Sequence, residues 1–283
     1  MVHGAFHGNA DIDAARSAIL DRLGGFPEPR GLTRRTAMVT ELLARPHDVA
    51  ALARRRGALW YQLDRVPECG ELRRFAEAIG TPIPEHDPAV RSRVREEVVL
   101  EMRNSRESPA DVSSEPFSLR SLRLHTEASR RPAADRPDLI VLACVRAPAP
   151  GHGLQTLLVS SASVLAGLTD AQLDVLRALT LDDAADTPIL RREAGRDVLS
   201  FRDFTGDVGW RCADPSVSAE DVTSALIALL LGCYREGHVR GVRWTRAGLL
   251  LFDNAQFLHG RTRGSGAEEG DRWLRRIRVI CGR

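Results

Sequence analysis

Residues 138–147, DLIVLACVRA, form an apolar run with no polar face. A strand of that kind belongs where both of its sides are covered. Other strand-like runs surround it in the chain: GALWYQL (57–63), REEVVLEMR (95–103), QTLLVSS (155–161), RDVLSFR (196–202), VRWTRAGLLLFDN (242–254) and RWLRRIRVI (272–280). The first eighty residues read mainly as helix, in DIDAARSAILDRL (11–23), RTAMVTELLA (35–44), HDVAALARRR (47–56) and the amphipathic CGELRRFAEAIG (69–80), with Gly80 as its stop. Later helices are expected at TDAQLDVLRAL, opened by a Thr169/Gln172 capping box, and at SAEDVTSALIALLLGCYREG, capped by Ser218 and ended by Gly237. TPIPEHDP and NSRESPADVSSEPF (104–117) are loops, the second placed where a lid over a site would lie. Strands dominate from about residue 95 onward. This order predicts a mainly β, α+β architecture, a β-sandwich or jelly roll buttressed by helices. We expect a single domain over 1–283, with 1–90 as helical support and 91–283 as the jelly-roll core carrying a helical insert.

Composition limits the function. A formal net charge of +2 gives no electrostatic case for nucleic acid or an anionic membrane as partner. All 40 basic residues are arginine, so no lysine is available as a base or Schiff-base nucleophile. Cys69, Cys144, Cys212, Cys233 and Cys281 are odd in number and lack metal-ligand spacing, as expected of reduced thiols in a cytoplasm. The start lacks the pattern of a signal peptide, and the longest apolar run is too short to span a bilayer.

The stretch RSLRLHTEAS (120–129) places His125 and Glu127 two apart in a strand-like run, which aims both side chains the same way. One imidazole and one carboxylate make two-thirds of the facial triad that holds Fe(II), and a second imidazole completes it. Of the eight histidines, His259 in LLLFDNAQFLHGRTR has the best setting, after a buried strand and a short loop. A His-x-Glu pair also occurs often without a metal. In RWLRRIRVI, strand parity groups Arg272, Leu274, Arg276, Arg278 and Ile280 on one face, and Trp273, Arg275, Ile277 and Val279 on the other. Arginine in a sheet is costly to bury without an anion. We read Arg275 and Arg278 as solvated on an edge strand, and Arg272 and Arg276 as site residues. Four residues of strand span roughly 13 Å, so these two arginines imply two anionic groups or one anion and one structural partner.

LHTE (124–127), RPDLIVLACVRAP (136–148), GLQTLLV (153–159), FDNAQFLHGRT (252–262) and RWLRRIRV (272–279) resemble, in order and spacing, the Fe(II)/2-oxoglutarate dioxygenases of the taurine dioxygenase and clavaminate synthase type. The resemblance covers about 95–283. Glutamate in place of the commoner aspartate is similar to clavaminate synthase and to the arginine and asparagine β-hydroxylases of antibiotic pathways. It implies a double-stranded β-helix with His125, Glu127 and His259 as iron ligands. Arg272 and Thr156 then hold the distal carboxylate of the cosubstrate 2-oxoglutarate, Arg276 faces an acidic group of the substrate, and O2 is the oxidant. A single glycine, Gly153, stands where the family has a pair before the threonine. Glu127 argues against halogenation, because halogenating relatives have a small residue at that position.

The reaction expected is hydroxylation of an amino acid or related natural-product intermediate, free or tethered to a carrier protein. Asp203 and Asp207 are candidates for binding a basic side chain, against their reading as solvated turn residues. Glu101 would hold an α-amino group if its face of the strand looks inward. Asn254 reads as a turn residue. Two rival readings are a Zn-dependent hydrolase, which needs a separate base and leaves the arginines unexplained, and a jelly-roll binding or regulatory protein without turnover.

Overall fold

The computed structural model describes residues 2–3, 8–29, 32–105, 112–182, 187–193, 195–203, 209–265 and 270–281. In chain order its strands are β1 Val2–His3, β2 Thr33–Ala37, β3 Ala58–Leu63, β4 Thr81–Pro82, β5 Val94–Arg95, β6 Val99–Arg103, β7 Leu122–His125, β8 Leu139–Arg146, β9 Thr156–Ser160, β10 Leu179–Leu181, β11 Leu190–Glu193, β12 Arg196–Leu199, β13 Gly209–Cys212, β14 Val239–Val242, β15 Gly248–Asp253, β16 Phe257–Arg261 and β17 Trp273–Ile280. The α-helices are α1 Ala10–Leu20, α2 Val39–Ala44, α3 Pro46–Arg56, α4 Cys69–Ile79, α5 Ser161–Leu165, α6 Asp170–Ala178 and α7 Ala219–Cys233.

Two sheets carry the site. The larger runs β2-β3-β15-β8-β17-β6-β5, with β4 also paired to β17, and the smaller runs β14-β9-β16-β7. Strand alternation divides the apolar side chains into layers. On β8, Leu139, Val141 and Ala143 pack outward with helices α2, α3 and α4. Ile140, Leu142 and Cys144 pack inward with Leu158 of β9 and Val242 of β14. The outer face of the smaller sheet, through Leu124, Leu157, Val159 and Leu258, packs with Ile12 and Ile19 of α1 and with Leu226, Leu229 and Leu230 of α7. The fold is thus an α+β stack of helices, sheet, sheet and helices, and the space between the two sheets is where polar side chains can converge.

DLIVLACVRA becomes β8 at the centre of the larger sheet, between β15 and β17. The expected Thr169/Gln172 capping box forms, and the expected Ser218 cap forms as a capping box with Asp221. Helix α7 stops at Cys233, short of Gly237. Gly80 does follow α4, and its amide donates to Ala76 O at 3.0 Å. Its role is close approach: a Cβ there would lie 2.2 Å from the Ile280 carbonyl oxygen of β17.

Three local expectations need correction. Residues 35–37 are strand, because β2 pairs in parallel with β3, a tertiary contact that outweighs the helical pattern. REEVVLEMR is a hairpin, with β5 and β6 joined through Glu96 and Glu97 at positive φ (49° and 62°). Strand β17 is central, between β8 and β6, so Arg278 is not an edge-strand arginine. Residues 106–111 of the expected lid lie outside the described residues, while Val112–Phe117 form a 3-10 helix.

Gly80→Ala is expected to destabilise the protein by about 1–3 kcal/mol, the range for an overpacked atom. The urea midpoint measures it, and an unchanged midpoint would show that the end of β17 yields freely.

Candidate metal centre

His125 ends β7 and His259 lies in β16, and the two are directly paired across the ladder. Their rings sit 4.2 Å apart, centroid to centroid. Both point into the space between the sheets, since their neighbours Leu124 and Leu258 face the helices. Gly260 makes this pairing close: a Cβ there would lie 2.6 Å from Leu122 O. The far edge of β7 is closed by other elements. The Leu124 amide donates to Tyr234 Oη at 3.1 Å, the Leu124 carbonyl accepts from the Asp203 amide at 3.0 Å, and His125 bridges to Arg202.

Glu127 stands outside the strand, in the turn that follows it. Thr126 fixes this exit through the Phe201 backbone, its amide donating to Phe201 O at 2.8 Å and its Oγ1 accepting from Phe201 N at 3.1 Å. Asn254 then clamps the Glu127 backbone. Its Oδ1 accepts from the Glu127 amide at 2.8 Å, and its Nδ2 donates to the Glu127 carbonyl at 3.2 Å and to Pro137 O at 3.0 Å. Ala128 at φ 57° turns the chain away. Strand parity alone therefore does not aim Glu127, and Asn254 is no mere turn residue.

The result is a group of three potential ligand atoms, from His125, Glu127 and His259, all within 4.8 Å of one another. All three side chains are buried, at 5%, 7% and 7% exposure. The His125 Nδ1 is 2.8 Å from Arg123 O, so as donor it leaves Nε2 with a free lone pair. Burial, with the neighbouring His259, pushes the His125 imidazole well below its ordinary value. Burial likewise pushes His259 down to about 4. Burial alone would raise the Glu127 carboxyl, but Arg276, Arg278 and the imidazoles hold it well below the usual carboxylate range. Two neutral imidazoles and one ionised carboxylate are the protonation states a divalent metal needs.

Arginines surround this group. Arg276 Nη1 contacts Glu127 Oε1, and its Nη2 donates to Glu85 Oε2 at 3.1 Å. Arg278 Nη2 donates to the same Glu85 oxygen at 2.9 Å, and its Nη1 lies 3.9 Å from Glu127. Arg278, with its side chain 11% exposed, thus belongs to the site. A cavity of about 440 Å³ opens here, lined by His125 and Glu127 together with Glu85, Arg131, Arg202, Arg276 and Arg278.

Arg272 is 4% exposed, and among the described residues its Nε and Nη1 have no hydrogen-bond partner. Its Nη2 reaches Thr156 Oγ1 at 3.4 Å. Burial pushes its guanidinium down to about 10. A buried cation without a carboxylate is costly, and the cost is offset when an anion binds it. Arg261, equally buried, differs: its Nη1 and Nη2 donate to the carbonyls of Glu115, Pro116, Ser118 and Arg120 at 2.6–3.1 Å. Its role is to hold the 115–120 segment beside the cavity.

The remaining expected substrate residues lie elsewhere. Asp203 is 2% exposed and receives Arg16 on both oxygens, at 2.8 and 2.7 Å, and Tyr234 Oη at 2.7 Å. It ties α1 to β7 and does not line the cavity. Glu101 pairs with Arg275 and Arg95 at 3.5 and 3.4 Å, opposite the face that Leu100 and Met102 turn inward. Asp207 lies outside the described residues. Glu85 and Asn254 carry no spacing signal that would have marked them, since each acts through residues distant in the chain.

A family model described as taurine catabolism dioxygenase TauD, TfdA family matches residues 59–278. No curated protein matches the chain in a sequence search. Among solved structures it is similar to PvcB from Pseudomonas aeruginosa, at TM-score 0.64 and 21% identity over 92% of this chain and 91% of that one. PvcB is described as an Fe, α-ketoglutarate dependent oxygenase from an isonitrile synthetic pathway. An asparagine oxygenase in complex with Fe(II), 2S,3S-3-hydroxyasparagine and succinate follows at TM-score 0.59 and 18% identity, over 98% and 92% of the two chains. The non-heme iron oxygenase OrfP, in complex with Fe and α-ketoglutaric acid, has TM-score 0.58 and 18% identity over 98% and 92%.

Metal-free protein is expected to lose stability as pH falls from 6.5 to about 4. The unfolded imidazoles bind protons near 6.5, whereas folded His259 does so only near 4, so the unfolded state holds more protons in that window. Melting temperatures across the window should fall less in a His125→Gln/His259→Gln variant. An equal fall in both proteins would remove the imidazoles as the cause.

Proposed function

The chain belongs to the taurine catabolism dioxygenase TauD, TfdA family, and on that premise we propose that it is a non-haem Fe(II)/2-oxoglutarate-dependent oxygenase that hydroxylates a C–H bond of an amino acid or related natural-product intermediate. The facing sheets are read as the double-stranded β-helix, or jelly roll, of a single domain spanning 1–283. The reading is carried by one observation: His125, Glu127 and His259 converge within 4.8 Å in a buried site. It is supported by the buried Arg272, two of whose nitrogens have no partner among the described residues.

The donor set fits iron. Two imidazoles and one carboxylate on one side of a metal leave positions open for other ligands. His125, Glu127 and His259 would hold Fe(II), and Arg272 with Thr156 would take the distal carboxylate of 2-oxoglutarate. With iron bound, 2-oxoglutarate and O2 are converted to succinate and CO2 as one oxygen atom enters the substrate C–H bond. The protein's own residues do the positioning. Asn254 and Thr126 fix the direction of Glu127, and Arg276 and Arg278 keep its carboxylate ionised. Phe252, its ring 5.1 Å from that of His259, supplies an apolar wall.

The substrate reading rests on the lining of the cavity. Arg276 and Arg278 suit a carboxylate, and Glu85, held between them, suits an amine. Asparagine oxygenase carries a hydroxylated amino acid in its complex, which agrees with this lining. Among the described residues no helix is long and apolar enough to cross a membrane, and all five cysteines are free thiols, in keeping with a cytoplasmic enzyme. A substrate tethered to a carrier protein is the other form the same chemistry admits.

Fe(II) and 2-oxoglutarate added without oxygen should produce a weak visible charge-transfer band, and succinate should form on aeration with a suitable amino acid. Folded protein that gives no band would overturn the reading. His259→Ala should abolish iron retention while leaving the far-ultraviolet circular dichroism spectrum intact. Arg272→Ala should weaken 2-oxoglutarate binding by about 2–5 kcal/mol, as expected for truncating one partner of a buried charged pair. Wild-type affinity in that variant would show that the cosubstrate anchor lies elsewhere.

A further inference from the structure

Thr156 Oγ1 has two donors directed at it. The indole Nε1 of Trp244 donates at 2.9 Å, and Arg272 Nη2 reaches it at 3.4 Å. A hydroxyl oxygen has two lone pairs and one proton. With both lone pairs engaged, the proton must point elsewhere, and an anion bound by Arg272 would be the neighbouring group able to take it. Thr156, at 3% exposure, is too buried for water to turn its hydroxyl freely. Trp244 is itself held firmly, 8% exposed, with its ring 5.2 Å from that of Trp60. Its donor is an N–H that cannot accept, so the direction of the Trp244–Thr156 bond is not reversible.

We propose that Trp244 is a positioning residue for the cosubstrate: its indole N–H fixes the rotation of the Thr156 hydroxyl, so that this O–H donates to the carboxylate paired with Arg272. The proposal rests on the Arg272/Thr156 reading given above and adds a residue that contacts neither metal nor cosubstrate. It treats Thr156 as a preset donor. An unheld hydroxyl would have to give up one of several rotations each time 2-oxoglutarate binds, and it could present a lone pair to the incoming oxygen.

The test is equilibrium binding of 2-oxoglutarate to the Fe(II)-loaded protein without oxygen, read from the charge-transfer band and independently from the shift in melting temperature. Trp244→Phe should raise the dissociation constant roughly tenfold, the scale of one hydrogen bond acting on a charged group, and leave Fe(II) affinity unchanged. Thr156→Val should weaken binding at least as much, whereas Thr156→Ser should retain most of the affinity. The Trp244→Phe/Thr156→Val pair should bind no worse than Thr156→Val alone, since Trp244 acts only through the hydroxyl. If Trp244→Phe proves misfolded, benzothienylalanine at position 244 keeps both rings and lacks only the N–H, and the same weakening is expected. Wild-type affinity in either Trp244 replacement, or losses that add in the double variant, would overturn the proposal. A wild-type protein without a band is a different result, which removes the cosubstrate assignment itself.

Discussion

His125 and His259 face each other across one antiparallel pair, β7 against β16, and that register decides whether a site exists. A slip of β7 by one residue would turn His125 into the helix-packed layer and bring Leu124 inward, while β16, held by β9, kept His259 in place. Register in this ladder is pinned from several directions. Gly260 permits the close approach, and the leucine before each histidine, Leu124 and Leu258, is committed to the layer packed with α1 and α7. Because β7 is the last strand of its sheet, its outer edge depends on Tyr234, Asp203 and the Arg202 bridge. The pair formed by Arg16 and Asp203, 187 positions apart, thus acts on the site indirectly, by holding the strand that carries His125.

Charge is the second constraint. The space between the sheets contains Glu127, Arg272, Arg276 and Arg278, each of which costs free energy to bury. The contrast between two deeply buried arginines is informative. Arg261 directs both terminal nitrogens at carbonyls and makes one segment rigid. Arg272 keeps two nitrogens without partners among the described residues. Arg261 is left with only Nε unpartnered among the described residues, its terminal nitrogens being held by its own chain. An arginine that binds a ligand is one whose partner arrives from outside.

Much of this was legible in the sequence, and what was not has physical reasons. His125, Glu127, His259, Arg272 and Thr156 could be singled out because their motifs are short and local, and the structure does gather the first three and separately the last two. The strand parity of RWLRRIRVI was sound, but its neighbours were not readable. Only the sheet order shows that β17 is central, which moves Arg278 from solvent to the site. Glu101 failed by one position: the inward face of β6 belongs to Leu100 and Met102, and alternation cannot say which face is inward. Asp203 looked like an exposed turn acid or a substrate contact, because nothing local reveals Arg16 as its partner. Residues 35–37 read as helix until the parallel pairing with β3 is known.

The ladder that unites the two histidines joins segments separated by nearly half the chain, and Glu127 is aimed by Asn254, equally remote. No fragment shorter than the completed sheet pair can present all three donors to an ion. Such long-range closure is among the slow events of folding. The three donors therefore come together only as folding completes, and no ion-binding site is assembled before then.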